Sequence, residues 1–217
     1  MELIVALTAI ALMALPIGPI NQYGGDGDSS VEVTIYVTNS NYYLFAFNSG
    51  HVFVSINNPN GFSINVGYYT LPAYSNVYVG KWPSSFAGNA IAPFSGLNYN
   101  YESYLANEGE SSNDGYSLVA RRVTCTTSDL AVASTYASSV NSGYTLISDD
   151  CATFATTFFN KAAGSNSLQV TGVPSEVTNQ ILPDEAHRIL IQPEDLARTS
   201  QSFYFSGTPV AQNFYPQ

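Results

Sequence analysis

The sequence predicts an α+β fold in which an antiparallel β-sheet packs against helices. Apolar and polar residues alternate over 31–37 and again over 51–66, the pattern of strands that bury one face. Two later segments, 127–140 and 151–163, each begin with helix-capping residues, and the second continues with an apolar stripe at helical spacing. A chain of 217 residues is an ordinary size for a single domain that is rich in strands.

The composition sets limits on what the protein binds. Apolar residues make up 45% of the chain and charged residues only 10%, so it can bury a core and is not a disordered protein. The net charge is −10 and the pI is about 4.3. Such a field repels phosphate backbones and anionic lipid headgroups, which argues against nucleic acid and anionic membranes as partners. Sixteen tyrosines beside only six Lys and Arg residues are typical of an extracellular protein.

The N-terminal segment 1–20 is almost wholly apolar and ends at Pro16 and Pro19. It is short for a membrane span, and we expect a secretory signal peptide cleaved near Ala14 or Gly18. A buried apolar segment is the alternative, because the first residues include Glu2 and no Lys or Arg. Residues 21–30 are expected to be a linker, which leaves 31–217 as one α+β domain.

Three strands are predicted before residue 70. The first covers 31–37, the second covers 42–47, and the third begins a hairpin that covers 51–69. The turn at 58–61 has the sequence Asn-Pro-Asn-Gly, which suits a type I turn followed by a bulge. In the register that this turn implies, His51 lies opposite Tyr69 and on the more polar face of the hairpin.

The rest of the chain is predicted as follows. Residues 70–115 are expected to form an ordered loop over the functional site, with one short strand at 76–79. A strand over 116–124 leads to a helix over 127–140 that Thr126 caps. Asp149 and Asp150 are expected to cap a helix that begins at Cys151 and stops at Gly164. A short helix near 175–181, a helix start after Pro193 and an irregular strand over 203–215 complete the chain.

Cys151 is the strongest candidate for a chemical role. A cysteine in the first turn of a helix is favoured as the thiolate, the nucleophilic form, by the free N–H groups and the dipole of the helix. The chain has only two histidines that could serve as its base, His51 and His187. His51 begins a strand on a polar face, whereas His187 lies in an acidic stretch where we expect it to be solvated. The structural alternatives are an inert Cys151 and a His51 without a role.

Metal and cofactor sites find little support. The two histidines are far apart, and the chain has no Cys-x-x-Cys pair. It also has no glycine-rich phosphate loop and no Gly-x-Ser-x-Gly elbow. We therefore expect no metal and no cofactor.

Several motifs, in their order, resemble one known family. They cover 50–163, about half of the chain: Gly50 to Ile56, Val66 to Tyr69, Val123 to Val140, Tyr144-x-Leu146, and Asp150 to Ala155. With the histidine before the cysteine, they resemble the circularly permuted NlpC-type branch of the papain-like cysteine hydrolases, which includes the lecithin retinol acyltransferase-like proteins.

The resemblance implies that Cys151 attacks an amide, ester or thioester carbonyl while His51 acts as the base. The backbone N–H of Cys151 would stabilise the oxyanion. Members of this superfamily usually have a third polar residue that orients the histidine, and the expected register offers Tyr69 or a backbone carbonyl. We therefore expect a secreted cysteine hydrolase that cleaves peptide or isopeptide bonds, with peptidoglycan stem peptides as one candidate substrate.

Two alternatives stay open from the sequence. The same fold could act as an acyltransferase or lipase, although the anionic surface and the lack of a basic amphipathic segment argue against lipid binding. The chain could instead be an inactive extracellular binding or structural module in which Cys125 and Cys151 form a disulfide, the default for two cysteines in a secreted protein. A free Cys151 distinguishes the enzymes from the module.

Overall fold

The structure is a computed structural model, and it describes residues 29–38, 50–86, 89–90, 92, 95–103, 118–146, 148–165, 167–186, 188–191, 203–205 and 208–210. The expected signal peptide, most of the linker, the strand over 42–47, His187 and the helix start after Pro193 lie outside these residues. Ser30, the last residue of the expected linker, already belongs to the first strand.

The described strands, in chain order, are β1 (Ser30–Thr38), β2 (His51–Asn58), β3 (Ile64–Val66), β4 (Tyr69–Leu71), β5 (Ser75–Trp82), β6 (Ser85–Phe86), β7 (Asn89–Ala90), β8 (Gly96–Tyr99), β9 (Leu118–Thr126), β10 (Arg188–Ile191), β11 (Phe203–Phe205) and β12 (Thr208–Val210). Eight of them form one sheet in the order β10-β9-β1-β2-β5-β8-β11-β12. All of its strand pairs are antiparallel, as predicted.

The helices begin and end where the sequence predicts. They are α1 (Thr127–Ser139), α2 (Cys151–Ala162) and α3 (Pro174–Ile181). Thr126 and Asp129 form a reciprocal capping box, and the Asp150 carboxylate accepts the Thr153 N–H at 2.8 Å. Gly164 follows α2 with a φ of +63°, the left-handed conformation that terminates helices. No helix in the described part of the chain is long and apolar enough to cross a bilayer.

The main core lies between the helices and one face of the sheet. Val52, Val54 and Ile56 of β2 are fully buried there, together with Phe154 and Phe158 of α2. Burying side chains of this size contributes about 1.5–3 kcal/mol each. This packing confirms the predicted α+β class and the buried face over 52–56.

The opposite face of the sheet has a smaller aromatic cluster. Tyr36, Phe53 and Tyr78 project from β1, β2 and β5, and the Tyr36 and Phe53 rings stack with centroids 4.9 Å apart. The His51 ring extends this row, with its centroid 5.7 Å from that of Phe53. The alternation along β2 therefore directs His51 away from the main core.

The predicted hairpin over 51–69 is wrong. β2 pairs with β1 and β5, and the residue opposite His51 is Thr38. Ile64–Val66 turns back on Tyr69–Leu71 to form a separate hairpin, closed by the two residues Gly67 and Tyr68. The reason is Gly67, whose φ of +61° suits the first central position of a tight type II′ turn.

The predicted loop over 70–115 is too long: the strand expected at 76–79 is confirmed as part of β5, but other described parts of the segment are also ordered into strands. β5 lies in the middle of the sheet, between β2 and β8, and residues 101–103 are helical. Val79 is opposite Val54 on one side and Tyr99 on the other. Gly, Asn and Tyr residues make this segment look irregular in sequence, whereas pairing with distant strands orders it.

Candidate active site

The site has a cysteine side and a histidine side, and each is carried by the first residue of a helix or strand. Cys151 is the first residue of α2, directly after the capping Asp150, and His51 is the first residue of β2. Thr38, opposite His51, accepts the His51 N–H at 2.7 Å through its hydroxyl. Gly50 precedes with a φ of +69°, and a Cβ at this position would lie only 2.4 Å from the Thr38 carbonyl oxygen. The backbone that carries His51 is therefore tightly fixed.

Cys151 and His51 line the same pocket, close enough for Cys151 to change the pKa of His51. Burial by itself lowers the pKa of His51, but the charge and hydrogen bond of Cys151, followed by those of Glu102, outweigh this effect and raise the pKa to about 9. Both residues are buried: Cys151 is 5% exposed and His51 is 4% exposed. An imidazolium beside a thiolate is the arrangement that activates a cysteine nucleophile.

The group that orients His51 is Glu102, which the sequence analysis did not identify. Its Oε1 lies 3.1 Å from the Nε2 of His51. Because Nε2 is engaged in this way, Nδ1 is the ring nitrogen left for Cys151. The second oxygen, Oε2, is buried and has no hydrogen-bond partner among the described residues.

Two residues on the same face of β5, Gly80 and Trp82, hold the Glu102 carboxylate and the His51 ring in place. The Nε1 of Trp82 donates to Oε1 of Glu102 at 2.8 Å, and the Trp82 ring covers His51 with centroids 3.9 Å apart. Gly80 leaves the space for the carboxylate, since a Cβ there would lie 1.8 Å from Oε1. The imidazole is thus held by a carboxylate on its edge and an indole on its face.

Tyr144 completes the site on the cysteine side. Its hydroxyl interacts with the Cys151 side chain and with the Cys151 backbone N–H. Burial raises the pKa of Tyr144 and the charge of Cys151 raises it further, so the hydroxyl keeps its proton at neutral pH. The Cys151 N–H donates to the phenol oxygen here, and an incoming oxyanion that displaces this oxygen would meet two donors, the N–H and the protonated phenol.

These residues line one open pocket. His51, Cys151, Tyr144 and Trp82 form its reactive end. The remaining lining residues are neutral apart from Asp150: Gly50, Pro83, Leu146, Gly172 and Pro174. The Leu146 side chain is 47% exposed at this opening. The Cys151 thiol therefore meets solvent through a pocket that is largely uncharged.

Tyr69 does not occupy the position predicted for it. The register that placed it opposite His51 is wrong, and its ring stacks on Tyr99 with centroids 5.4 Å apart. It is also not among the residues that line the pocket. The hydrogen bond to the His51 ring that we expected from Tyr69 or a backbone carbonyl is made by the Glu102 carboxylate.

The two cysteines are free and lie at opposite ends of the sheet. Cys125 is level with Val31 of β1, whereas His51, beside Cys151, is level with Thr38. A strand rises about 3.3 Å per residue, so roughly 23 Å of β1 separates the two levels. A disulfide needs Cα atoms within about 7 Å of each other. The structure therefore does not contain the Cys125–Cys151 disulfide of the alternative hypothesis.

Glu102 had one signal in the sequence. It is the only charged residue between Lys81 and Glu108, in a segment otherwise made of apolar and neutral polar residues. A single carboxylate in such a segment is a candidate for burial with a partner.

No group of three or more His, Cys, Asp or Glu residues within the described ranges is arranged to hold a metal ion.

Comparisons of the chain with protein-family models, with curated proteins and with solved structures gave no match in any of the three.

Proposed function

We propose that this protein is a cysteine hydrolase that cleaves amide bonds, with Cys151 as the nucleophile, His51 as the base and Glu102 as the residue that orients His51. The observation that carries the proposal is the continuous chain of contacts from Cys151 through His51 to Glu102. A nucleophile, a base and an orienting group in series are the common requirement of nucleophilic hydrolases.

The proposed reaction has two halves. His51 accepts the thiol proton on Nδ1, and the Cys151 sulfur attacks the carbonyl carbon while the backbone N–H of Cys151 and the Tyr144 hydroxyl stabilise the oxyanion. His51 then protonates the leaving amine, which leaves a thioester on Cys151. In the second half, His51 takes a proton from water, the hydroxide attacks the thioester, and a carboxylic acid leaves as the thiol is restored.

A peptide or isopeptide is the substrate class that we propose, and peptidoglycan stem peptides remain one candidate. The open pocket with neutral walls suits a chain that passes across the thiol. We also retain the proposal that the protein is similar to the permuted NlpC-type enzymes, because its histidine precedes its cysteine and the cysteine begins a helix. The proposal that it is secreted rests on the apolar segment 1–20.

The first experiment uses p-nitrophenyl acetate, a reactive ester that acylates nucleophilic cysteines, followed by a panel of peptide p-nitroanilides. We expect a burst of nitrophenolate and a mass increase of one acetyl group on the peptide that contains Cys151. Cys151→Ala and His51→Ala should abolish both signals. His187→Ala, which changes the only other histidine, is the matched control and should leave them unchanged. An acetyl group on Cys125, or loss of the burst in His187→Ala, would refute the assignment.

A further inference from the structure

Lys81 is a buried lysine whose charge has one described carboxylate partner. Its side chain is 1% exposed, and its ammonium contacts Oδ1 of Asp149, whose own side chain is 44% exposed. Taking an ammonium out of water is costly unless it is paired. The Lys81–Asp149 contact is therefore a strong constraint on where Asp149 lies.

Asp149 belongs to the short connection before the Cys151 helix, which has Tyr144 at its start and Cys151 at its end. Thr145 and Asp149 exchange two backbone hydrogen bonds, at 3.0 and 3.2 Å. Tyr144 precedes the first of these residues, and Cys151 follows the second after the helix cap Asp150. A constraint on the position of Asp149 therefore acts both on Cys151, the proposed nucleophile, and on Tyr144, the proposed second oxyanion donor.

β5 also holds the histidine side. Side chains alternate along a strand, so Lys81 projects on the face of Val77 and Val79, toward the helices, while Gly80 and Trp82 project on the opposite face. Gly80 and Trp82 position the Glu102 carboxylate, which in turn holds His51. Three consecutive residues thus reach both halves of the site from the two faces of one strand.

From this arrangement we infer that Lys81 is a positioning residue whose ion pair with Asp149 fixes Tyr144 and Cys151 relative to His51. The inference rests on the proposed function for its catalytic consequence. Lys81 touches no reacting atom; its ion pair is with Asp149, and its charge also acts on the helix cap Asp150. Nucleophiles need placement to within about an ångström, so a loosened connection slows acylation more than it weakens substrate binding.

The test compares three variants: Lys81→Met, which keeps the length and removes the charge, Asp149→Asn, which keeps the shape, and the double variant. Each single variant should lower the rate constant of the nitrophenolate burst, which measures acylation by p-nitrophenyl acetate, at least tenfold, with the half-saturating ester concentration changed less than threefold. The double variant should be no slower than either single one, because all three break the same pair. Glu32→Gln is the matched control, since it weakens the Arg122–Glu32 pair at the far end of β1 and should leave the burst rate constant unchanged.

Amide hydrogen exchange separates this inference from the proposed function. The Thr145 and Asp149 amides should exchange at least tenfold faster in Lys81→Met and Asp149→Asn, while the His51 amide, bonded to Thr38, should not change. Unchanged exchange at Thr145 and Asp149, equal acceleration at His51, or an unchanged burst rate constant in a folded variant overturns the inference. If the native protein shows no acylation, the proposed function fails and the exchange rates still decide the role of Lys81. If Lys81→Met does not fold, Asp149→Asn supplies the same readouts.

Discussion

The Oε1 atom of Glu102 lies 3.1 Å from the Nε2 atom of His51, and both side chains are almost completely buried. A carboxylate in this position fixes the ring orientation and places the proton on Nε2, so that Nδ1 is free to accept the thiol proton. It also stabilises the imidazolium that forms when Cys151 becomes a thiolate.

Removal of the carboxylate should therefore slow acylation. We expect Glu102→Ala to lower kcat by about 10²–10⁴-fold, as for orienting groups in other triads. Glu102→Gln should be milder, because an amide oxygen can still accept from His51 and Trp82. Steady-state kinetics on a peptide p-nitroanilide measures both, and an Ala variant as active as the native protein would show that Glu102 only fills space.

Substitution of Gly80 should reproduce the loss of Glu102. A Cβ at this position would lie 1.8 Å from the Glu102 carboxylate and 2.8 Å from the Trp82 Nε1, so Gly80→Ala displaces the orienting group. We expect kcat to fall about as far as in Glu102→Ala, by about 10²-fold or more. The combined variant Gly80→Ala/Glu102→Ala should be no worse than Glu102→Ala alone. An additive loss in the combined variant would argue that Gly80 acts elsewhere.

The rate of amide cleavage should fall at pH values above the pKa of His51. That pKa is raised to about 9, so His51 stays protonated below this value and can protonate the leaving amine. The rate should fall as the pH rises through about 9, and Glu102→Gln should move the fall to lower pH because it removes a charge that raises the pKa. A p-nitrophenyl ester is the control, since nitrophenolate leaves without a proton. The same fall with the ester would assign the limb to another group.

Tyr144→Phe tests the second oxyanion donor. Loss of one such donor costs about 10²–10³-fold in kcat in other hydrolases, and we expect a fall at the lower end of this range with little change in KM. Tyr69→Phe is the matched control, because that phenol stacks on Tyr99 outside the pocket lining. An equal loss in both variants would indicate a general effect of removing hydroxyl groups from the fold.

The thiols should differ in reactivity toward iodoacetamide. Burial raises the pKa of Cys125 to about 11, with a further contribution from Asp129, so this thiol is almost wholly protonated at pH 7. Cys151 faces His51 and an open pocket. Peptide mapping after brief labelling at pH 7 should find Cys151 modified and Cys125 intact, and His51→Ala should slow the modification of Cys151. Preferential labelling of Cys125 would contradict the assigned environments.

Local features of the fold were predictable, and long-range pairings were not. The caps at Thr126 and Asp150 and the stop at Gly164 depend on a few adjacent residues, and all three were correct. The pairing of β2 with β5 was not predictable, because both strands were visible in the sequence but nothing local indicates which strand pairs with which. The wrong hairpin shows how two turns compete for one strand. The turn at 58–61 was visible in the sequence, but the tighter turn at Gly67 pairs 64–66 with 69–71.

The same division applies to the site. Cys151 and His51 stand out because each is scarce in the chain and each begins an element. Glu102 could not be assigned to His51 without knowing that β8 lies beside β5, since only this pairing brings residue 102 to Gly80 and Trp82. Which polar residue faces a histidine depends on sheet order, and sheet order is a property of the whole fold.

The alternation of Gly80, Lys81 and Trp82 has a consequence for folding fidelity. A shift of β5 by one residue would turn the ammonium toward the histidine and the indole toward the helices, so every contact of this strand with the site would fail at once. A mispaired molecule would be fully inactive instead of partly active. Turnover per molecule would then report directly on how many chains in a preparation have reached the correct strand alignment.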